Sequence, residues 1–199
     1  MVFTGNQNID GIKTEIIRKS IHFLIALSPS MAAINKPFTV YFLMLGILGY
    51  VFMEHLRLCG INVPVISVLT RMASRPRDTG HFILGPVTLG LGALIALLLF
   101  PYHIAAIAIY ALAFGDGLAS LAGKSFGKLY PAFLFGKSIE GSLACFFAVF
   151  ISAYAFSGSM HISIAAAFTA MAVEAMPLGD YDNLAIPIAV GLIVQFAYF

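Results

Sequence analysis

The sequence predicts an all-α, polytopic integral membrane protein with about seven transmembrane helices. Hydrophobic residues make up 60% of the 199 residues and charged residues only 10%, and the mean hydropathy is +0.96. Soluble domains are far more charged than this. Apolar runs of about 20 residues, the length at which a helix crosses a bilayer, recur along the chain. We therefore expect one transmembrane catalytic domain over residues 1–199.

The apolar runs place each span in order along the chain. The predicted spans are about 16–34, 38–57, 81–100, 103–122, 139–157, 161–176 and 183–199. Small residues in the third run, including Gly90 and Gly92, favour close helix packing. The two cysteines, Cys59 and Cys145, offer neither a disulfide framework nor a zinc site.

The basic residues predict the orientation of these spans. In a seven-span arrangement only Lys36 falls on one side. The other side carries Lys13, Arg18, Lys19, Arg57, Arg71, Arg75, Arg77, Lys124, Lys128 and Lys137. The positive-inside rule then places the N-terminus in the cytoplasm.

Most acidic residues share that predicted cytoplasmic side, from Glu15 in the first helix to Asp182 before the last. A transporter is expected to carry polar groups near the midplane and on both sides. Polar and charged residues gathered on one side of the membrane instead favour an enzyme that joins a water-soluble reactant to a lipid.

The loop between Gly60 and Gly80 is the longest in this arrangement. Its apolar residues repeat at helical spacing, which predicts an interfacial amphipathic segment at about 61–73. Arg71, Arg75 and Arg77 follow, and both lipid headgroups and phosphates are suitable partners for them.

The run GDGLASLAGKSFGK, Gly115 to Lys128, closes the fourth apolar stretch with polar residues. Asp116, Ser120, Gly123 and Lys124 recur at helical spacing and share one face. We expect Asp116 near a helix C-terminus, where the macrodipole repels a carboxylate and a cation should compensate it. A divalent metal on nucleotide phosphates and an ion pair with Lys124 or Lys137 both satisfy this requirement.

A second polar run, GKSIEGSLACF, begins the fifth span at Gly136. Ser138 is the expected helix cap, and free N–H groups near Gly141 and Ser142 would suit an anion. The two GKS tripeptides lack the preceding glycine of a P-loop, so a P-loop NTPase is excluded. Lys137 is then either a phosphate ligand or a lysine that extends to the interface.

Further polar residues lie at the other predicted cytoplasmic helix ends. Glu54 and Arg57, three residues apart, could form a local ion pair. The remaining candidates are Glu15, Arg18, Lys19 and His22 in the first span, Glu174 after the sixth, and Asp182 and Asn183 before the seventh.

These motifs together resemble the polyprenol kinase family, which includes dolichol, phytol and farnesol kinases and CTP-dependent diacylglycerol kinases. The resemblance implies CTP as phosphoryl donor, Mg²⁺, and a membrane lipid alcohol as acceptor, such as a polyprenol, a phytol-like isoprenoid alcohol or diacylglycerol. We expect a cell membrane location in a prokaryote and no nucleic-acid partner, and the distribution of basic residues places the site on the cytoplasmic side. A phosphatidate cytidylyltransferase and a non-enzymatic lipid transporter or scaffold are the alternatives.

On this resemblance we assign roles to residues of the two central runs and the helix ends. Asp116 would hold the metal, with Glu140 as a second ligand or as the base, and His22 or Glu174 would accept the hydroxyl proton. Phosphates would contact Arg18, Lys19, Lys124 and Lys137, and the backbone would approach the nucleotide at Gly115, Gly117 and Gly123. The nucleotide site would be completed by Ser120, Ser138, Gly141, Ser142, Asp182 and Asn183.

Overall fold

The computed structural model describes residues 4–61, 64 and 80–198, apart from the side chains of residues 4–11 and 13. Over these residues the fold is all-helical and contains no strand. The all-α part of the predicted fold class is therefore confirmed. Of the predicted interfacial segment at 61–73, all but Ile61 and Pro64 lies outside the described residues, as do Arg71, Arg75 and Arg77.

Within the described residues the α-helices come in the following order along the chain. The α-helices are α1 (Thr4–Phe23), α2 (Leu27–Leu58), α3 (Gly85–Leu99), α4 (Tyr102–Tyr110), α5 (Gly117–Phe126), α6 (Ile139–Ser157), α7 (Met160–Glu174) and α8 (Asp182–Ala197). A π-helical segment, Ala111–Asp116, joins α4 to α5, and 3₁₀ turns lie at Leu24–Ala26, Ala132–Leu134 and Gly179–Tyr181.

Three helical segments of the described chain are long and apolar enough to cross a membrane. They are Thr14–Leu58, Tyr102–Phe126 and Ile139–Ser157, and α3 and α7 are shorter apolar helices. A membrane protein is the consistent interpretation. The count of seven spans and the cytoplasmic N-terminus stay predictions.

The first long segment breaks at Asn35, whose backbone is extended, with φ −153° and ψ 96°. The Asn35 side chain caps the helix that follows, because its Oδ1 accepts the N–H of Phe38 at 3.0 Å. A straight helix would separate Ile21 from Tyr50 by about 43 Å, yet both residues line one cavity. The chain therefore reverses direction at Asn35.

The segment from α4 through α5 lies at the centre of the bundle. Ala105 to Ile109 are fully buried, and α6, α7 and α8 pack around the π-helical turn. Small side chains let the neighbouring helices approach closely. A Cβ at Gly117 would lie 2.3 Å from the Phe23 ring, so glycine is required where α1 crosses this helix.

The outer faces of the bundle are apolar. Phe42, Leu45 and Phe52 on α2 and Phe147 and Ile151 on α6 are each more than half exposed. Surfaces of this kind are unstable in water but suit the hydrocarbon of a bilayer.

Candidate active site

A cavity of about 600 Å³ lies where most of the predicted polar helix ends meet. Its walls come from α1, α2, α3, α5, α6, the end of α7, α8 and the connections between them. The polar and charged residues that line it are Arg18, Lys19, His22, Asp116, Ser120, Lys124, Lys137, Ser138, Ser142, Glu174, Asp180, Asp182 and Asn183.

Asp116 lies at the inner end of this cavity and is 3% exposed. Lys19 Nζ donates to its Oδ2 at 2.5 Å, and His22 Nε2 lies 3.3 Å from the same oxygen. The helix continues from Asp116 to Phe126, so the expected position near a helix C-terminus is wrong. The cation that compensates the Asp116 carboxylate is Lys19, whereas the sequence predicted Lys124, Lys137 or a metal.

The orientation of His22 follows from its neighbours. Its Nε2 lies 3.1 Å from the carbonyl oxygen of Leu112 as well as near Asp116. Both neighbours are acceptors, so Nε2 must carry the proton and donate. Only Nδ1 of this ring is then able to accept a proton.

Glu15 connects α1 to α5. Its carboxylate pairs with Arg18 on its own helix and with Lys124 on α5, and the side chain is 1% exposed. Both cations are thereby held beside the cavity. Glu15 belongs to a motif noted in the sequence, but the spacing indicated only its local partner.

Lys137 forms a further ion pair, with Glu174 at the end of α7. The cavity lining thus contains four permanent cations, Arg18, Lys19, Lys124 and Lys137. It also contains four carboxylates, on Asp116, Glu174, Asp180 and Asp182. A cavity with balanced charges of both signs is able to bind an anion and a metal cation together.

The start of α6 offers fewer free N–H groups than the sequence suggested. Ser138 caps the helix as expected, since its Oγ accepts the N–H of Gly141 at 3.1 Å. The N–H of Ser142 donates to the Ser138 carbonyl, and that of Ile139 donates to the Leu129 carbonyl, each at 3.0 Å. The groups expected to be free at Gly141 and Ser142 already have partners.

Glu140 is absent from the cavity lining. Its two carboxylate oxygens accept the N–H groups of Lys128 at 3.0 Å and Leu129 at 3.4 Å. In this position Glu140 fastens the connection after α5 to the start of α6.

The three predicted nucleotide-approaching glycines occupy different surroundings. Gly123 lines the cavity and lies against the α6 start, where a Cβ would be 3.2 Å from Ser138 Oγ. Gly115 packs against Val149 and Gly117 against Phe23. The closest contacts of Gly115 and Gly117 are therefore with hydrophobic side chains.

Asp182 and Asn183 both line the cavity at the start of α8. Asn183 Nδ2 donates to Thr88 Oγ1 at 3.0 Å, which ties α8 to α3. Among the described residues its buried Oδ1 has no hydrogen-bond partner, nor has the buried Oγ of Ser142. These two cavity residues are thus available to a bound ligand after a small movement.

Glu54 and Arg57 form the local ion pair considered in the sequence, with two contacts of 2.8 Å. Glu54 also accepts the N–H of Ile83 at 3.0 Å, and Arg57 donates to the His81 carbonyl at 3.0 Å. The pair therefore anchors the chain that leads into α3.

Sequence reasoning missed several cavity residues. Tyr50, Tyr130 and Asp180 line the cavity, yet each stood outside the motifs. Asp180 lies two residues before Asp182, and this acidic pair was a usable signal. Nothing in the local pattern distinguished the two tyrosines.

Within the described residues no cluster of three or more His, Cys, Asp or Glu side chains forms a protein-only metal site. In proteins Mg²⁺ commonly takes one or two carboxylates and completes its shell with phosphates and water. Asp116 and Asp182 are two carboxylates of this kind in the cavity lining.

Comparisons with known proteins relate the chain to kinases of an isoprenoid alcohol. No family model and no solved structure matches it. An uncharacterized protein of Methanocaldococcus jannaschii is 29% identical over 188 residues, which cover 91% of this chain and 93% of that protein.

A phytol kinase of Synechocystis sp. is 36% identical over 98 residues, 45% of this chain and 42% of the kinase. A probable chloroplastic phytol kinase of Triticum aestivum is 28% identical over 151 residues, 67% of this chain and 50% of that protein. The chain thus spans half or less of the length of the two phytol kinases. These similarities support a relationship to polyprenol- and phytol-kinase-like proteins.

Proposed function

We propose that the protein is a CTP-dependent kinase that phosphorylates a membrane lipid alcohol at the cytoplasmic face of the cell membrane. The observation that carries this proposal is the single cavity in which four cations and four carboxylates meet. The similarity to phytol kinases supports a kinase and an isoprenoid alcohol as acceptor. CTP and Mg²⁺ come from the family resemblance.

Phosphoryl transfer depends mainly on positioning and on neutralising the charge of the phosphates. Arg18, Lys19, Lys124 and Lys137 would bind the phosphates of the donor. Each is already paired with a carboxylate. A phosphate would therefore replace or share an existing anionic partner, and the cations need not be desolvated again.

The equal numbers of positive and negative groups explain why a metal would be needed. A triphosphate entering this cavity would meet Asp116 and Asp182 as well as the lysines, and like charges repel. Asp116 and Asp182 would hold Mg²⁺, while Glu140 would keep the loop after α5 in place. When bound, Mg²⁺ neutralises charge on the transferred phosphoryl group.

The acceptor hydroxyl needs a group that takes its proton. In the reaction, the hydroxyl oxygen bonds to the γ-phosphorus, the bond from that phosphorus to the bridging oxygen breaks, and CDP leaves. His22 would accept the proton at Nδ1, since its Nε2–H is directed to Leu112 and Asp116. Glu174, whose carboxylate binds Lys137, is the competing candidate.

The test uses purified protein in nanodiscs with CTP labelled at the γ-phosphate and a mixture of lipid alcohols and phosphatidate. Label in a lipid phosphate supports the proposal. Label released as pyrophosphate, with CDP-lipid formed, would instead indicate a cytidylyltransferase. No consumption of any nucleotide would indicate a transporter or scaffold. Equal transfer from ATP, GTP and UTP would contradict the CTP dependence alone.

A further inference from the structure

The lining of the cavity contains both charged and apolar residues. Lys124, Lys137 and Ser142 come from α5, α6 and their connection, and Arg18 and Lys19 come from α1. The apolar part of the lining, the apolar wall, consists of Ile21 of α1, Tyr50 of α2, and Ile83, Pro86 and Leu89 at the start of α3. The charged residues suit phosphates, and the apolar wall suits hydrocarbon.

The cavity is too small to enclose both substrates. Its volume of about 600 Å³ lies in the range that accommodates one drug-sized ligand. A nucleoside triphosphate and the full tail of a long isoprenoid alcohol exceed that size together. The tail must therefore leave the cavity while the hydroxyl stays inside.

Helix packing provides a route for the tail. Among the described residues α1 packs on α5, α2 packs on α3, and α1 and α3 share almost no contact, although the 3₁₀ turn after α1, Leu24–Ala26, touches both α2 and α3. Ile21 of α1 and Leu89 of α3 line the same cavity from these two helices. Leu24, one turn beyond Ile21, is 63% exposed, so apolar surface continues from the cavity to the lipid-facing side of the bundle.

The apolar wall lies next to His22 and Asp116, the groups proposed to take part in the reaction. His22 follows Ile21 directly in sequence, and its ring contacts Asp116. A hydroxyl group bound beside Ile21 would thus lie near both His22 and Asp116. A charged or sugar-bearing ligand would gain nothing from Ile21, Ile83 and Leu89, whereas a hydrocarbon chain is stabilised by contact with them.

We infer that Ile21, Tyr50 and Leu89 form the acceptor subsite, and that the tail of an isoprenoid alcohol leaves the protein between α1 and α3. This inference rests on the proposed function and assigns its specificity-determining residues. The apolar wall would select the length of the tail, and the charged residues of the cavity would select the nucleotide.

The test compares wild type with Ile21→Trp and Leu89→Trp, each of which fills the wall with a larger side chain. The control is Leu192→Trp, because Leu192 is 47% exposed on α8 and does not line the cavity. Alcohols of two, three and four isoprene units serve as acceptors. We expect KM for the four-unit alcohol to rise at least tenfold in both wall variants, with KM for CTP within twofold of wild type.

A second measurement guards against misfolding of the buried Leu89 variant. A four-unit alcohol with a photoreactive group on its tail is crosslinked to the wild-type protein, and the labelled peptides are identified by mass spectrometry. We expect labels in α1 and α3. Labels confined to α6 and α7 would overturn the inference.

The outcomes separate the inference from the proposed function. If wild type phosphorylates no alcohol, the proposed function fails and the subsite fails with it. If wild type is active but Ile21→Trp keeps wild-type KM for every chain length, the subsite is wrong and the function stands. A rise in KM for CTP alone would assign this wall to the nucleotide and also overturn the inference.

Discussion

Lys19 on α1 donates to Asp116 across 2.5 Å, although 97 residues separate the two in sequence. Both side chains are almost completely buried. Removing one partner of such a pair leaves an uncompensated buried charge, which is strongly destabilising.

The Asp116→Asn variant is therefore expected to lose both activity and stability. Transfer should be nearly abolished, and the free energy of unfolding should fall by about 3 to 5 kcal/mol because Lys19 keeps its charge without its partner. Thermal unfolding with and without Mg²⁺ and CTP measures this. The double variant Asp116→Asn/Lys19→Met should recover stability but not activity. Wild-type ligand stabilisation in Asp116→Asn would exclude a metal at this position.

Replacing Lys124 or Lys137 by methionine should weaken nucleotide binding. Each change removes a charge from the cavity lining while keeping the length of the side chain. We expect KM for CTP to rise about tenfold or more, as is typical when a charged hydrogen bond is lost. Lys128→Met is the matched control, because Lys128 is exposed and absent from the cavity lining. If both cavity variants behave like the control, these lysines are interfacial anchors.

The choice of proton acceptor is testable with two amide variants. His22→Gln should lower kcat by about 100-fold or more, as expected for the loss of a general base, while KM for CTP stays near its wild-type value. Glu174→Gln should act mainly on KM, because it releases Lys137. Rates measured from pH 5 to 9 provide the check. The reverse pattern would move the base to Glu174.

Labelling of cysteines should establish the orientation in the membrane. The native Cys59 is exposed at the end of α2, and Cys145 is buried. In intact cells an impermeant thiol reagent should reach Cys59 only after permeabilisation. In the Cys59→Ser background, a cysteine substituted for Ser159 should react without permeabilisation. The opposite labelling would place the cavity outside the cell.

Local periodicity predicted much of the candidate site. Asp116, Ser120, Gly123 and Lys124 share one helical face in the sequence, and all four line the cavity. The helix start at Ser138 was also visible, because a cap is specified by residues within one turn. Features of this kind depend only on neighbours along the chain.

Contacts between distant helices could not be predicted in this way. Lys19 as the partner of Asp116, and Glu15 as the partner of Lys124, depend on how α1 crosses α5. The expected helix end near Asp116 was wrong, because Gly115 and Gly117 pack closely against Val149 and Phe23 inside a continuous helix. The sequence shows where small residues occur, but the reason for each one is visible only from the helix that packs against it.

The π-helical turn before Asp116 sets the rotational phase of everything that follows it. A widened turn contains an additional residue compared with a regular α-helix, and each residue rotates the chain by about 100°. As a result, the buried residues of α4 and the cavity-facing residues of α5 lie at different angles around the axis of one continuous helix. Deleting a single residue between Ala111 and Gly115 would turn Ser120, Gly123 and Lys124 away from the cavity without changing any of their side chains.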